Sequence, residues 1–169
     1  MTFKAFLITF AMLTVTNVFP AKLPSPAPDF EGHTMAGKTL SLSELKGQVV
    51  LLDFWASWCK PCQKEFPFLV KLSKQYRKKG LHVVAVNLDE DAAKMKKFLG
   101  RLHLLIPFPV VSDPKGKIAR LYKVDRMPTT ALIGRDGKMH FRHGGFKDSF
   151  KKEYIAEINS LLQEEQNHK

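Results

Sequence analysis

Cysteine is scarce in this chain: 169 residues contain only Cys59 and Cys62. A stabilising disulfide scaffold is thereby excluded, because a bond closing so short a loop removes little unfolded-state entropy. The value of the pair must lie in its chemistry. Long apolar runs are equally scarce. The N-terminal stretch Ala5–Val15 covers 11 residues, too short for a spanning helix of about 20, and no later segment is long and apolar enough to span a bilayer. There is no internal repeat and no low-complexity tract. With 44% hydrophobic and 25% charged residues, the composition is that of an ordinary globular domain.

Acidic residues are also few: Asp and Glu total 16 against 27 Lys and Arg, for a formal net charge of +11. A basic domain invites a nucleic-acid partner, but the cations recur as solvated helix faces. Lys71, Lys74, Lys78 and Lys79 form one such face, Lys94, Lys96 and Lys97 another, and Lys151 and Lys152 open a third. No nucleic-acid partner is expected.

Residues 1–21 carry one charge, Lys4, then the apolar run, then Thr16–Ala21. That is the layout of a secretory signal, so the protein is expected to be periplasmic or otherwise exported. Cleavage after Ala21 would leave 148 residues, enough for one domain burying roughly 68–70% of its unfolded surface. Phe19 fits the cleavage pattern poorly, so retention as an N-terminal membrane anchor is the alternative. Residues 22–28 contain Pro24, Pro26 and Pro28 and read as an extended, unpacked tether. The folded domain is then expected over 29–165.

Within it, residues 29–42 read as a β-hairpin turning at Ala36–Lys38, and Ser43 as the cap of a short helical turn ending at Gly47. Gln48–Phe54 is a continuous apolar run interrupted only by Asp53, the pattern of a central strand buried on both faces. From Cys59 the period becomes helical, with Phe66, Leu69, Val70, Leu72 and Tyr76 on one stripe and Gly80 as the stop. His82–Leu88 is a second buried strand. Asp89 and Asp91 are candidate caps for a helix over 92–99 ended by Gly100, Phe108–Val111 is a further strand, and a short helix covers 118–122. An Asp136-Gly137 turn joins strands 129–133 and 139–143, and a helix over 149–163 closes the chain. Strands alternating with helices, then a hairpin and a helix, make an α/β three-layer sandwich around a mixed central sheet.

Two thiols at i and i+3 where a helix begins have a specific consequence. First-turn amides and the helix dipole favour a thiolate on the first, so Cys59 is the expected nucleophile. Lys60 adds a favourable charge, whereas Pro61 removes one amide donor. Cys62, one turn further in and shielded by Trp55 and Trp58, is the expected resolving thiol. Cys59 would attack a partner disulfide and Cys62 would break the mixed disulfide. Asp53, the only acid in the strand leading to the motif, is placed to take the Cys62 proton, its pKa raised by burial. A zinc reading would need His140 and His143 as further ligands, but their odd spacing in a strand points them to opposite faces. No metal is expected.

Asp53-Phe-Trp-Ala-Ser-Trp-Cys-Lys-Pro-Cys62 resembles the thioredoxin active-site segment, and Met127-Pro128-Thr129 before a strand resembles the loop of that fold that carries a cis proline and binds substrate backbone. More narrowly, residues 28–162 are similar to exported TlpA/ResA-type thiol-disulfide oxidoreductases. Supporting stretches are the opening hairpin, Glu65, Val84–Glu90, an inserted helix–strand unit through Ser112-Asp113, and Pro128–Ile133. The resemblance implies a thioredoxin-like fold and substrate-binding roles for Trp58, Lys60, Pro61, Met127, Pro128 and Thr129. Such relatives carry an acid between the cysteines and a neutral residue at position 53. Asp53 and Lys60 bring the local chemistry here closer to thioredoxin.

The implied activity is reduction of disulfides in exported proteins, with no cofactor beyond the Cys59–Cys62 disulfide and with a membrane thiol reductase as electron donor, since the compartment is oxidising. Two alternatives belong to the same fold. One is a thiol peroxidase, which would need a Pro- and Thr-containing loop where Trp55–Trp58 stand. The other is a Cu(I) carrier, because soft thiolates select that ion.

Overall fold

A computed structural model describes residues 23–164, so the segment read as a signal lies outside the described residues. The elements are β1 (Ser25–Pro26), β2 (Glu31–Thr34), β3 (Thr39–Ser41), β4 (Val49–Trp55), α1 (Lys60–Tyr76), β5 (Leu81–Asn87), α2 (Ala92–Arg101), β6 (Val110–Ser112), α3 (Lys117–Leu121), β7 (Thr129–Ile133), β8 (Lys138–Gly144) and α4 (Lys151–Gln163). They build one eight-stranded sheet in the order β1-β8-β7-β4-β5-β6-β2-β3. β4 runs parallel to β5 and β5 to β6, while the remaining pairs are antiparallel. The mixed sheet of the sequence reading is therefore present, with β4 inside it.

All seven residues of β4 are buried, and strand alternation divides them between two cores. Val49, Leu51 and Trp55 face a cluster built with α1, α2 and α4. Val50, Leu52 and Phe54 face a second cluster with Ile118, Ala119 and Tyr122 on and beside α3. Helical layers on both faces make the three-layer sandwich. In α1 the expected stripe, from Phe66 to Tyr76, is buried, and Gly80, at φ 98, supplies the left-handed turn into β5.

The proline-rich segment departs from its sequence reading. It is not a free tether: Ser25 and Pro26 pair with Met139 and Lys138 on β8, and the Ala27 amide donates to the Gly137 carbonyl at 3.0 Å. The Tyr122 hydroxyl adds a 2.8 Å bond to the Pro28 carbonyl. Alternating prolines hold the chain extended, and an extended chain matches the open edge of β8; lacking N–H groups, they restrict the pairing to a short edge. Ser43 does not cap the following turn. It lies inside that turn, and its amide donates to the Asp29 carboxylate at 3.1 Å. Gly100 does not end α2, which runs to Arg101. Among the described residues no helix is long and apolar enough to cross a membrane.

Candidate active site

β4 ends at Trp55 and α1 begins five residues later, so residues 56–59 form the tight strand-to-helix connection. Its shape is held by a partner the sequence reading assigned elsewhere. Asp89 was expected to cap α2, but Asp91 does so, accepting from the Ala93 amide at 2.8 Å. Asp89 instead accepts from the Ser57 amide at 3.0 and 3.2 Å and from the Ser57 hydroxyl at 2.9 Å. Asn87 donates to the same carboxylate at 2.8 Å. β4 and β5 end side by side, so an acid just beyond β5 reaches the loop just beyond β4.

Cys59 is the N-cap of α1 and forms a disulfide with Cys62. The Cys62 amide donates to the Cys59 Sγ at 3.2 Å. Lys60 and Pro61 occupy the first two helical positions, so proline leaves this amide as the donor turned back on the sulfur. The two sulfurs differ in access: Cys59 is 4% exposed and lines a surface groove, whereas Cys62 is 0% exposed. Trp55 is fully buried against Phe66 and Phe98, at ring separations of 4.6 and 4.9 Å, in the same cluster as Cys62. Trp58 departs from the expectation that it shields Cys62. It is 67% exposed and forms part of the groove wall.

That groove, about 500 Å³, lies between Trp58–Pro61 and Val124–Met127, with Leu88 between them. The structure thus brings Trp58, Cys59, Lys60, Pro61 and Met127 together, as the resemblance implied. Pro128 and Thr129 are buried and lie outside the lining. The Thr129 hydroxyl turns inward to donate to the Arg126 carbonyl at 2.7 Å, bracing the loop. The Pro128 carbonyl accepts from the Gly145 amide at 2.7 Å, tying the loop to the end of β8. His140 and His143 engage Asp136 and Glu157, respectively.

A polar cluster lies inside the apolar core on the α1 side of the sheet. Asp53 projects from β4 to the α1 side, between Leu51 and Trp55, and is opposite Thr130 on β7. Neither Asp53 carboxylate oxygen has a hydrogen-bond partner among the described residues. Burial pushes its pKa up to about 8, a rise that the neighbouring Thr130 hydroxyl opposes without cancelling. That hydroxyl directs its own bonds elsewhere, donating to Glu65 at 3.2 Å and accepting from Tyr154 at 2.9 Å. Glu65, also fully buried, is held well above the ordinary carboxyl range, first by burial and then by the charge of Asp53. Two desolvated carboxyls that repel each other retain at least one proton near neutrality and titrate as a pair.

Glu65 was read only as part of a resemblance, without a role at the site. Its signal was nonetheless present, since it follows Cys62 by three residues and precedes Leu69 by four, which sets an acid on the apolar face of α1.

A stability prediction follows from the raised pKa of Asp53. Between the ordinary Asp value near 4 and the folded value near 8, the native state binds more protons than the unfolded chain, so stability falls as pH rises through this window. Each pKa unit corresponds to about 1.4 kcal/mol, and about 2–4 °C of Tm accompanies each kcal/mol in a domain of this size. The Tm of the oxidised protein is therefore expected to fall by on the order of 10 °C from pH 5 to pH 8. Asp53→Asn should flatten that slope, and Glu65, raised by burial as well, keeps a dependence of the same sign. Equal slopes in parent and variant by scanning calorimetry would contradict the placement of the buried charge.

A dithiol–disulfide pair at a helix N-terminus, on a mixed sheet with helices on both faces, defines a thioredoxin-like redox protein. Residues 22–157 match the Redoxin family. The chain is 38% identical over 128 residues to the thiol-disulfide oxidoreductase ResA of Geobacillus kaustophilus, covering 73% of this chain and 72% of that protein. The corresponding protein of Bacillus cereus is 41% identical over 113 residues, or 67% of this chain, and the match spans 64% of that relative's length. Among solved structures, a candidate thiol:disulfide interchange protein DsbE from Chlorobium tepidum superposes with a TM-score of 0.78 at 42% identity, covering 82% of this chain and 96% of that one. The chain belongs to the Redoxin family, and ResA is a relative within it.

Proposed function

We propose that this protein is an exported thiol-disulfide oxidoreductase that reduces disulfides in other exported proteins. One observation carries the reading: of two bonded sulfurs at the start of α1, one opens onto a groove and the other is fully buried in the core on the same face of β4 as Asp53. In the reduced protein, the Cys59 thiolate attacks a partner disulfide, joins one partner sulfur and releases the other as a thiol. Cys62, passing its proton to Asp53, then attacks Cys59 Sγ, expels the second partner thiol and forms the intramolecular disulfide. Two electrons pass to the partner. A membrane thiol reductase returns them, because an oxidising compartment does not regenerate the dithiol.

Reduction of insulin disulfides by the full chain, with dithiothreitol as electron source, tests the activity. A rate no faster than dithiothreitol alone would remove it. Export is tested by expressing the full chain in a Gram-negative host. Recovery from the periplasm is expected, and recovery only from the cytosol would refute it. An N-terminus at Lys22 distinguishes a cleaved signal from a retained anchor.

Pro128 has a role in partner release. As an imide it offers no N–H beside the docking surface, and its carbonyl ties the Arg126–Met127 loop to Gly145. Pro128→Ala or Pro128→Thr is expected to lengthen the lifetime of the Cys59-linked complex several-fold at matched folded fraction. Unchanged lifetimes with lowered stability would make Pro128 a turn residue only.

A further inference from the structure

The groove beside Cys59 has a charge pattern that constrains what binds there. Three ionisable side chains line it: Lys60 on the α1 side, and Asp125 and Arg126 on the opposite loop. Asp125, the only acid of the three, is shared between two guanidinium groups, with Arg126 at 3.6 Å and Arg142 at 3.4 Å. Arg142 is fixed by a further bond to the Lys123 carbonyl at 2.8 Å. Asp89, just beyond Leu88, is committed to Ser57 and Asn87 and is buried. Positive charge therefore remains on both walls, with Lys60 and Arg126 exposed and the single lining acid already covered by cations.

Arg126 is also positioned. Its stem lies across Gly144 on β8, where a Cβ would come within 2.7 Å of Arg126 Cδ. The absence of a side chain at position 144 makes room for the stem, and this bed is independent of the ion pairs. Between the cationic walls stand Cys59 and the exposed ring of Trp58.

We infer that the groove selects an extended polypeptide whose reactive cysteine is flanked by acidic residues, held by Lys60 and Arg126 on either side of Cys59. The inference rests on the oxidoreductase reading and adds the chemistry of the partner. A formal net charge of +11 draws acidic partners at long range, and the groove places that attraction at the sulfur. Charges at a rim act mainly on association rate and are screened by salt.

The test uses the reduced full chain and two symmetrical peptide disulfides of equal length, one with Asp and one with Lys on both sides of its cysteine. Each turnover converts one peptide disulfide to two peptide thiols and the Cys59–Cys62 dithiol to its disulfide. The rate ratio, Asp peptide over Lys peptide, is compared between the parent and the Lys60→Glu/Arg126→Glu double variant. This comparison cancels both the intrinsic reactivity of each peptide and any change in the Cys59 thiolate. At low ionic strength the parent ratio is expected to exceed the variant ratio by at least about tenfold, and at 0.5 M salt by less than about threefold. Equal ratios in the two proteins at low salt, or a difference that salt leaves unchanged, would overturn the inference while leaving the activity standing. Oxidation by neither peptide, with both thiols confirmed reduced, would instead overturn the oxidoreductase reading and this inference with it.

Discussion

Cys62→Ala is expected to leave the protein covalently attached to its partners through Cys59, while Cys59→Ser loses insulin reduction to the buffer background and traps nothing. The expectation follows from access and position. Cys59 lines the groove and caps α1, with the Cys62 amide 3.2 Å from its sulfur. Cys62 is sealed beside Trp55. A partner sulfur can therefore reach Cys59 and is barred from Cys62, whereas Cys62 needs only to reach Cys59. Without Cys62 no intramolecular attack can break the mixed disulfide, so the complex persists until an external thiol arrives. Non-reducing electrophoresis of the full chain incubated with a protein disulfide, followed by mass spectrometry of the linked peptide, reads the result. Trapping by the Cys59 variant at the level of the Cys62 variant would reverse the two roles.

Asp53→Asn is expected to slow resolution of that mixed disulfide by about 10²-fold near neutral pH, at the lower end of what a positioned general base supplies. The first attack, made by Cys59 without a proton passing to Asp53, should change far less. In the parent the resolution rate is expected to rise with pH through about 8, following ionisation of Asp53. In the variant that limb disappears, and the remaining dependence is that of the Cys62 thiol itself. Rapid mixing of reduced protein with excess peptide disulfide separates the steps. The buried carboxyl lacks hydrogen-bond partners, a costly arrangement that an amide does not carry as a charge. A loss of rate together with a gain of stability at pH 8 would distinguish chemistry from structural damage. Unchanged resolution would remove the proton-transfer role and leave Glu65 as the group to test.

Much of the site was visible in the sequence because its parts are local. Thiols three residues apart at a change from strand to helical period specify a helix-start pair without knowledge of any other element. Asp53 was legible for the same reason, since an acid inside a seven-residue buried run has nowhere to go but inward. Trp58 was misjudged because aromatic character does not determine which way a loop residue turns. Here Asp89 grips Ser57, and the next residue stands in solvent. The bond from the Thr129 hydroxyl to the Arg126 carbonyl was not legible, because the bounds of β7, read correctly as 129–133, do not say how the loop before it folds back.

What the sequence by itself determined is the redox pair and the frame: two cysteines at the mouth of α1, a buried acid on the strand before it, and an α/β sheet with β4 inside. Only the tertiary structure decided the company these groups keep. The register of β4 against β7 sets Thr130 opposite Asp53. The packing of α1 and α4 over that pair brings Glu65 and Tyr154 to the same hydroxyl. The loop before β7 carries Arg126 and Met127 to the groove wall facing Cys59, and β8 adds the glycine beneath Arg126. The physical reason is range. Helix and strand periods are written in neighbouring residues, whereas pairings across dozens of residues arise from registers and packing angles that the whole core settles at once.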